Sequence, residues 1–579
     1  MQIRLVHLRR FRGFERATIR PTGHVVVMGE PRAGRSDLAE GLTRVLSSEA
    51  TRLPLGDDLD FFDRDRTHRA EVEVVLGDLG TEFQQRFFDR LEYWDAAVEE
   101  LVPEAEEPEL LDAGDLEPVV RLCYRAAWSE NEDQAQQWVD YPKTSEIDGG
   151  LFDRVRRSDL EALPFFAGRA GGRPLSLAAR AHLRSLVAEA AGGDFGQALD
   201  RMGDGIVQLA AGLASAQQIR EALDAILAPV RVPLAVEGQD VEQLFRFVPE
   251  GGALGNMLRS LAPTLELSGG GGYLPLWRHG TTATALLAAS ELVASAGSSG
   301  IVVIDDFGEH LDAGGARHLA ATLRARTGQL WLTTRRASVA AVFRPSEVVR
   351  LGFSSDGHRE VFHGRDPRDK AERLAARHFG LQVLPAMTAR AIVLVEGPHD
   401  RSSLDVVADR LLREQGIPLP AAHRVAFADA GAAEGSGGVS ALPRLAHSIK
   451  QLGFFTVAVA DGDRAQQSEA EIASLLEAAD AVIRLPDGFA IELALLHGLT
   501  DETIRATLRE LDADLPTDLD DRVGPALRTL ARKTLKQRGG LHAQFLDALP
   551  VGCNPDLACR ILETAVRVAA ASDPGLTQL

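Results

Sequence analysis

The hydrophobic pattern divides the chain into stretches of different character. Val25–Met28 is a short β-rich run that leads directly into GEPRAGRS. From about residue 81 to 235 apolar residues recur at spacings of three and four, as in LEALPFFAGRA and IREALDAILAPV, which predicts helices. Inside that stretch, Glu99 to Glu117 is acidic and Pro-bearing and predicts an exposed, solvated loop. Strands are predicted again at RVPLAVEG, at GIVVIDD (300–306) and at WLTT (331–334). A mixed-charge stretch, RDPRDKAERLAARHFG (365–380), then precedes the apolar run AIVLVEG. VAFADAG (425–431) and TVAVADGD (456–463) follow, with helical patterns between them. The order β-α-β-α-β predicts a parallel sheet. Roughly the last 80 residues read as mostly helical, and SGGGG (268–272) as a flexible loop.

Composition narrows the class. At 579 residues the chain is too long for one core, so two to four domains are expected. Hydrophobic residues at 45% and charged residues at 25% are those of a globular protein without long apolar spans. The N-terminus, MQIRLVHLRRFRGF, lacks the apolar core and cleavage site of a signal peptide. Three cysteines (Cys123, Cys553, Cys559) make no disulfide framework and no zinc pair, which points to a reducing cytoplasm. The net charge of −21 argues against a dedicated phosphate-coating protein, though acids can hold cations and bases can be local.

Two sets of residues carry chemistry. Gly29, Gly34, Arg35 and Ser36 fit G-x-x-x-x-G-K-[ST] with Arg in place of Lys. Such a turn between strand and helix aims backbone N–H groups at an anion, and Ser36 is placed to hold Mg²⁺. Far along the chain IVVIDD (301–306) is an apolar strand ending on Asp305, with Asp306 next, the pattern of a metal-binding acid at a strand end. The second set is acidic. Glu396 closes one predicted strand and Asp400 follows one turn later; Asp429 ends VAFAD; Asp461 and Asp463 close TVAVA as D-G-D; Glu492 follows in LPDGFAIE. In a parallel α/β sheet the C-terminal strand ends share one edge. Acids 4 Å apart repel by about 4 kcal/mol at an effective dielectric of 20, so bound Mg²⁺ or Mn²⁺ is the economical explanation. Asp400 also reads as a helix cap.

These motifs carry a resemblance. The first half looks like the ABC-type ATPase head shared by SMC, RecF and OLD-family proteins. RHGTT (278–282), about 25 residues before Asp305, sits where such heads carry their signature motif, whereas Ser268 of SGGGG lies farther upstream. Three positions depart from that pattern: Arg35 replaces the phosphate Lys, Asp306 the usual Glu, and Arg335 the switch His. Weak or absent ATP hydrolysis is therefore expected, with ATP a candidate bound ligand. The second half resembles the TOPRIM domain, E-G first and D-x-D about 65 residues later. A head followed by TOPRIM is the architecture of the OLD (overcoming lysogenization defect) nucleases, and E-G-P-H-D is similar to the subgroup written E-G-x-x-D.

The resemblance implies a multidomain α/β protein: head parts at 1–80 and 236–364 around a helical insertion (81–235, with a role in dimerisation), a linker (365–388), a Rossmann-like TOPRIM domain with a parallel sheet (389–500) and a helical remainder (501–579). It implies a DNA endonuclease with two divalent ions roughly 4 Å apart, one activating water and one stabilising the leaving oxygen. Glu396, Asp461 and Asp463 would be catalytic, with Asp400, Asp429 and Glu492 as further metal ligands. Lys536 is preferred over Lys533 for steadying the developing charge; both also read as DNA-backbone contacts or surface charge. A homodimer or larger assembly and a role in phage defence are implied too. Some members of the subgroup are encoded beside a UvrD-like helicase, which makes one a candidate partner. The competing expectation is a nucleotide-binding DNA scaffold or sensor that does not cut.

Overall fold

A computed structural model describes residues 1–48, 59–102, 116–129, 134–146, 150–169, 212, 215–232, 234, 236, 238–248, 262–266, 272–275, 278–296, 299–354, 356–368, 373, 380, 382–431, 442–462, 469–511, 518–537 and 541–579. The chain divides into two units. Met1–Met28, Arg32–Leu351 and Ser355–Val361 form one; Gly29–Pro31, Gly352–Ser354 and Phe362–Leu579 form the other.

The first unit is built from strands β1 (Gln2–Phe11), β2 (Phe14–Ile19) and β3 (Val25–Gly29), helix α1 (Arg35–Leu46), and strands β4 (Ala70–Gly77), β5 (Leu91–Asp95), β6 (Glu100–Leu101), β7 (Leu116–Ser129) and β8 (Gln134–Asp140). Then come α2 (Arg157–Ala162), β9 (Phe165–Arg169), α3 (Gln217–Leu227), a small antiparallel sheet of β10 (Phe245–Val248), β11 (Ala262–Leu265) and β12 (Leu274–Pro275), α4 (Thr281–Ala296), β13 (Ile301–Asp305), α5 (Ala313–Arg326), β14 (Gln329–Thr333), β15 (Val348–Phe353) and β16 (Arg359–His363).

Two larger sheets organise these elements. An antiparallel sheet runs β2-β1-β4-β7-β5-β6, with β8 on β7. A second sheet runs β16-β15-β3-β14-β13-β9, in which β3, β14, β13 and β9 are parallel. Every residue of β3, β13 and β14 is buried, as expected of parallel strands covered on both faces. Helix α1 packs against both sheets through Leu38, Leu42, Val45 and Leu46; Gly41 admits Val72 of β4, whose methyl would lie 3.4 Å from an added Cβ.

The helices expected over 81–235 are found only in part. Leu91–Asp95, Glu100–Leu101, Leu116–Ser129 and Gln134–Asp140 are strands, and the α-helices among the described residues there are Thr81–Arg86, α2 and α3. In β7 the run from Val119 to Ala126 is buried nearly throughout, so the alternation that marks a half-exposed strand is lost and apolar residues fall at helix-like spacings. LEALPFFAGRA breaks at Leu163-Pro164 into the end of α2 and the edge strand β9, because Pro cannot continue a helix. The described residues of RVPLAVEG form turns rather than a strand. SGGGG falls mostly outside the described residues.

The second unit alternates strand and helix. It comprises β17 (Ala391–Val395), α6 (Pro398–Gln415), β18 (Val425–Asp429), α7 (Leu442–Gln451), β19 (Phe455–Ala460), α8 (Glu469–Ala478) and β20 (Ala481–Arg484). It ends with α9 (Ile491–Ala494), α10 (Asp501–Glu510), α11 (Gly524–Gln537), α12 (Leu541–Asp547), α13 (Asp556–Ala571) and β21 (Gly575–Gln578). The expected parallel sheet is present, in the order β18-β17-β19-β20-β21. Its apolar core joins the strands to α6 and to the C-terminal helices. Buried Arg410 of α6 fixes that join by donating to the carbonyls of Leu546, Leu549 and Pro550. No helix among the described residues is long and apolar enough to cross a membrane. Cys123 is buried, Cys553 and Cys559 are half-buried, and all three are free.

Candidate functional sites at two sheet edges

In the first unit, β3 delivers the chain into the glycine turn and α1 carries it away. Gly34 caps α1 at φ 98°, and a Cβ there would sit 2.5 Å from an Arg359 nitrogen and 2.7 Å from the Phe14 ring, so only glycine fits. Ser36 follows in the first turn of α1. Its hydroxyl donates to Asp305 Oδ1 at 3.2 Å. The Thr333 hydroxyl donates to the same oxygen at 2.6 Å and accepts the Asp306 N–H at 2.8 Å. Thr333 ends β14, the strand lying between β3 and β13, so it bridges turn and acids. Sequence reasoning missed it; the signal available was a hydroxyl closing the buried strand WLTT.

The hydroxyl of Ser36 and the carboxylate of Asp305 are hard oxygen donors, which suits Mg²⁺. Asp306 takes φ 52°, an uncommon left-handed conformation for a non-glycine residue. Arg35 is buried, and its pKa is lowered first by that burial and then by Arg335, while Asp306, Asp305 and Glu309 oppose. Its guanidinium thus lies in the field of the acid pair and stays charged. Arg335 is exposed and lies 3.8 Å from Glu309. RHGTT leads into α4, where the Thr282 hydroxyl donates to the His310 carbonyl at 2.7 Å.

In the second unit the strand order is 2-1-3-4-5 when counted from β17, so the sheet reverses direction between β17 and β19. Crevices outside the carboxyl ends at such a switch point are where open α/β sheets bind ligands. Glu396 follows β17 and Asp461 follows β19, and the Asp461 N–H donates to Glu396 Oε1 at 3.3 Å. Gly462 permits this. A Cβ there would be 2.2 Å from the Pro486 carbonyl oxygen and 2.6 Å from that of Leu485. Its N–H donates to Phe489 O, and its own carbonyl accepts from Gly488, both at 2.7 Å. Asp463 lies outside the described residues.

The other acids have different company. Asp400 sits in the first turn of α6 and accepts the Gly397 N–H at 2.9 Å, the capping role. Burial, aided by Glu396 and Glu492, pushes its carboxyl up to about 7 against the Gly397 bond and His542. Asp429, opposite Val395, is buried with Arg401 at 3.7 Å. Glu492 is buried in α9, with Lys536 Nζ at 3.2 Å and His542 Nε2 at 3.8 Å from Oε1, and Arg532 Nε at 3.8 Å from Oε2. Burial works to raise its pKa, yet His542 and Lys536 outweigh it and hold the carboxylate below its usual range. The His542 ring stacks on His399 at 5.0 Å. Lys533 is exposed.

Among the described residues, no three His, Cys, Asp or Glu side chains are grouped to hold one ion. The structure brings Glu396 and Asp461 together and leaves Asp429 and Glu492 facing cations, because helices α6 and α11 carry Arg401, Arg532 and Lys536 to them. Arg401 carried no motif that sequence reasoning could have used; His399 lies within E-G-P-H-D, and Arg532 and His542 bound RKTLKQRGGLH, the stretch that supplies Lys533 and Lys536.

No family model matches the chain, and no curated protein matches it. Among solved structures it is similar to an SMC head bound to the C-winged helix domain of ScpA, with 14% identity and a TM-score of 0.33 over 62% of this chain and 97% of that chain. It is also similar to the SMC head domain from Thermotoga maritima, with 10% identity and a TM-score of 0.29 over 63% of this chain and 100% of that chain. Likeness at these scores carries no weight for function, which has to rest on the geometry of the chain itself.

Proposed function

We propose that the chain is a nucleotide-binding protein whose head holds ATP with Mg²⁺ and acts as a slow switch, a scaffold or sensor on DNA. The observation that carries this reading is Ser36 Oγ at 3.2 Å from Asp305 Oδ1, two residues 269 positions apart that meet at the mouth of a glycine turn. The backbone N–H groups of that turn and the start of α1 suit phosphates. When bound, Mg²⁺ would neutralise phosphate charge between Ser36 and Asp305. Arg35 is planar and wider than the usual Lys, Asp306 is one methylene shorter than Glu, and Arg335 has no acceptor for a proton. All three support slow turnover. In titration calorimetry, Ser36→Ala and Asp305→Asn should each weaken Mg²⁺-ATP binding at least about tenfold, the scale of one charge-assisted bond. Turnover should stay at or below about 0.01 s⁻¹, the unassisted scale for such loops. A value near 10 s⁻¹, ordinary for enzymes, would overturn the slow switch.

A second reading, cleavage of DNA phosphodiesters by an OLD-type TOPRIM site using Mg²⁺ or Mn²⁺, is favoured by the meeting of Glu396 with Asp461 at the switch point. Divalent ions would supply Lewis-acid activation there, held by those two acids. The test is nicking of supercoiled plasmid across Mg²⁺, Mn²⁺ and Ca²⁺, with and without ATP. Glu396→Gln and Asp461→Asn should each abolish it; nicking that survives the double variant removes the rim from the reaction. Pairing of two heads belongs to both readings and is measured by light scattering with and without ATP.

A further inference from the structure

The edge hairpin of the antiparallel sheet gathers positive charge on one of its faces. Side chains two apart on a strand point the same way, so His7 and Arg9 of β1 share a face with Arg16 and Thr18 of β2, while Val6, Leu8, Ala17 and Ile19 are buried on the other. Arg9 stands directly opposite Arg16, and His7 opposite Thr18. Like charges facing each other across a strand pair destabilise the pairing. Arg20 follows β2 and adds a third guanidinium to the field around His7.

The acids of this face do not cancel that charge where it is densest. Glu71 and Glu73 of β4 stand opposite Arg9 and His7. Glu71 lies 3.7 Å from Arg9 but is also held by Arg125, and Glu73 lies 3.6 Å from Arg121, so both are drawn toward β7. Glu92 and Asp140 pair with the same two β7 arginines. Glu100, itself exposed, lies 3.6 Å from Arg20. Arg16 is exposed and has no ion pair among the described residues. The face as a whole is near balance, but its acids sit inward and its cations at the edge.

That separation is felt at His7. Its Nδ1 lies 2.9 Å from Thr18 Oγ1, and its Nε2 is buried with no hydrogen-bond partner. When the Thr18 hydroxyl donates to Nδ1, Nε2 carries the proton and is a buried donor that needs an acceptor. Burial first, then Arg9, Arg16 and Arg20, hold the imidazole down to about 4, so at neutral pH it adds no charge of its own. Arg9 and Arg20 keep 53% and 43% of their side chains exposed, so their arms can close on a ligand arriving from solvent.

We propose that Arg9, Arg16 and Arg20 at the β1–β2 edge form a site for a phosphate oxyanion, with His7 Nε2–H as its innermost donor. Guanidiniums supply planar, charge-assisted donors that suit phosphate oxygens, and an anion between them removes the Arg9–Arg16 repulsion. A phosphate group has enough oxygens to meet three guanidiniums and the imidazole together, whereas a carboxylate has two. The site uses no residue of the glycine turn or of the acidic rim, so it stands or falls independently of both readings of the function.

The test follows the full chain, labelled with carbon-13 at histidine Cε1, by nuclear magnetic resonance, with His7→Gln assigning the signal. Without ligand the His7 signal should hold its neutral position from pH 8 down to pH 6; in inorganic phosphate it should titrate within that range, because the bound anion reverses the field of the arginines. At pH 7, Arg9→Ala and Arg16→Ala should each weaken phosphate binding about tenfold, the scale of one charge-assisted bond, with Arg16→Lys restoring part of it. A second arm uses a single-stranded oligonucleotide without terminal phosphates. A response to it alone assigns the site to a phosphodiester backbone, and a response to inorganic phosphate alone assigns it to free or terminal phosphate; either supports the site. A His7 signal that answers neither ligand overturns the proposal. So does an equal response to chloride at matched ionic strength, or a phosphate response that both arginine variants leave unchanged.

Discussion

Asp400 is a side chain whose protonation is decided by its surroundings. It caps α6, yet burial and the neighbouring Glu396 and Glu492 push it up to about 7 from an ordinary value near 3.8. The folded chain therefore binds a proton between those two values that the unfolded chain has released. Stability contributed by the protonated form is present below about pH 4, is lost as pH rises toward 7, and is flat above. The ceiling is about 4 kcal/mol, from three units at about 1.4 kcal/mol each, and water access reduces it. In EDTA, urea midpoints for the parent should fall between pH 5 and 8, and Asp400→Asn should remove most of that slope. An unchanged slope in the variant would show that the carboxyl ionises freely in the fold. The sequence gives the acid at this position but not its state. The alternatives of cap and ligand were both legible in E-G-P-H-D; the burial that decides the charge depends on α9 and α12, distant in sequence. Asp429 and Glu492 follow the same logic. As strand-end and near-strand-end acids they look like ligands, and only the fold brings Arg401, Lys536 and Arg532 to them.

At the scale of elements, what the sequence made legible were the strands that end on acids. β13, β17, β18 and β19 are apolar runs buried almost throughout and stopped by polar residues, so their extent could be read, and the helical patterns between β17, β18 and β19 made the parallel pairing of those three legible too. β7 could not, because burial on two faces erases the alternation that marks a half-exposed strand, and β5 and β6 are short strands with little buried surface to mark them. β21 could not either: GLTQ is a short, partly exposed edge strand whose only support is its pairing with β20. The strand end of β19 makes a demand of its own. Gly462 threads past the backbone of Leu485 and Pro486 with no room for a methyl. Gly462→Ala must push that segment or Asp461 aside. It should cost about 1–3 kcal/mol, the ordinary cost of overpacking, and should weaken Mn²⁺ binding as strongly as Asp461→Asn does. Thermal melting and paramagnetic titration measure the two effects. A destabilised variant with full Mn²⁺ affinity would separate the turn from the acid it carries.

Across the whole molecule the charge balance limits how strongly any nucleic acid could be held, should the proposed reading be right. The chain carries 84 acids against 63 Lys and Arg, and many of those bases are already committed to acids. Arg12 lies against Asp37 and Asp60, Arg44 against Glu40, Arg121 against Glu73 and Glu92, and Arg125 against Asp140 and Glu71. Such pairs stabilise the first unit and offer little to a phosphate. At long range the net charge of −21 repels a polyanion, and this repulsion is strongest at low salt, where screening is weakest. Few local contacts and a repulsive field both act against steep salt dependence. The affinity for a single-stranded oligonucleotide should fall with a log–log slope no steeper than about −2, equal to two or three neutralised phosphates at about 0.7 each. Anisotropy titrations between 50 and 300 mM KCl measure it. A slope of about −6 or steeper would require an extended basic face, and the protein would then coat its nucleic acid instead of touching it at a few points beside the acidic rim.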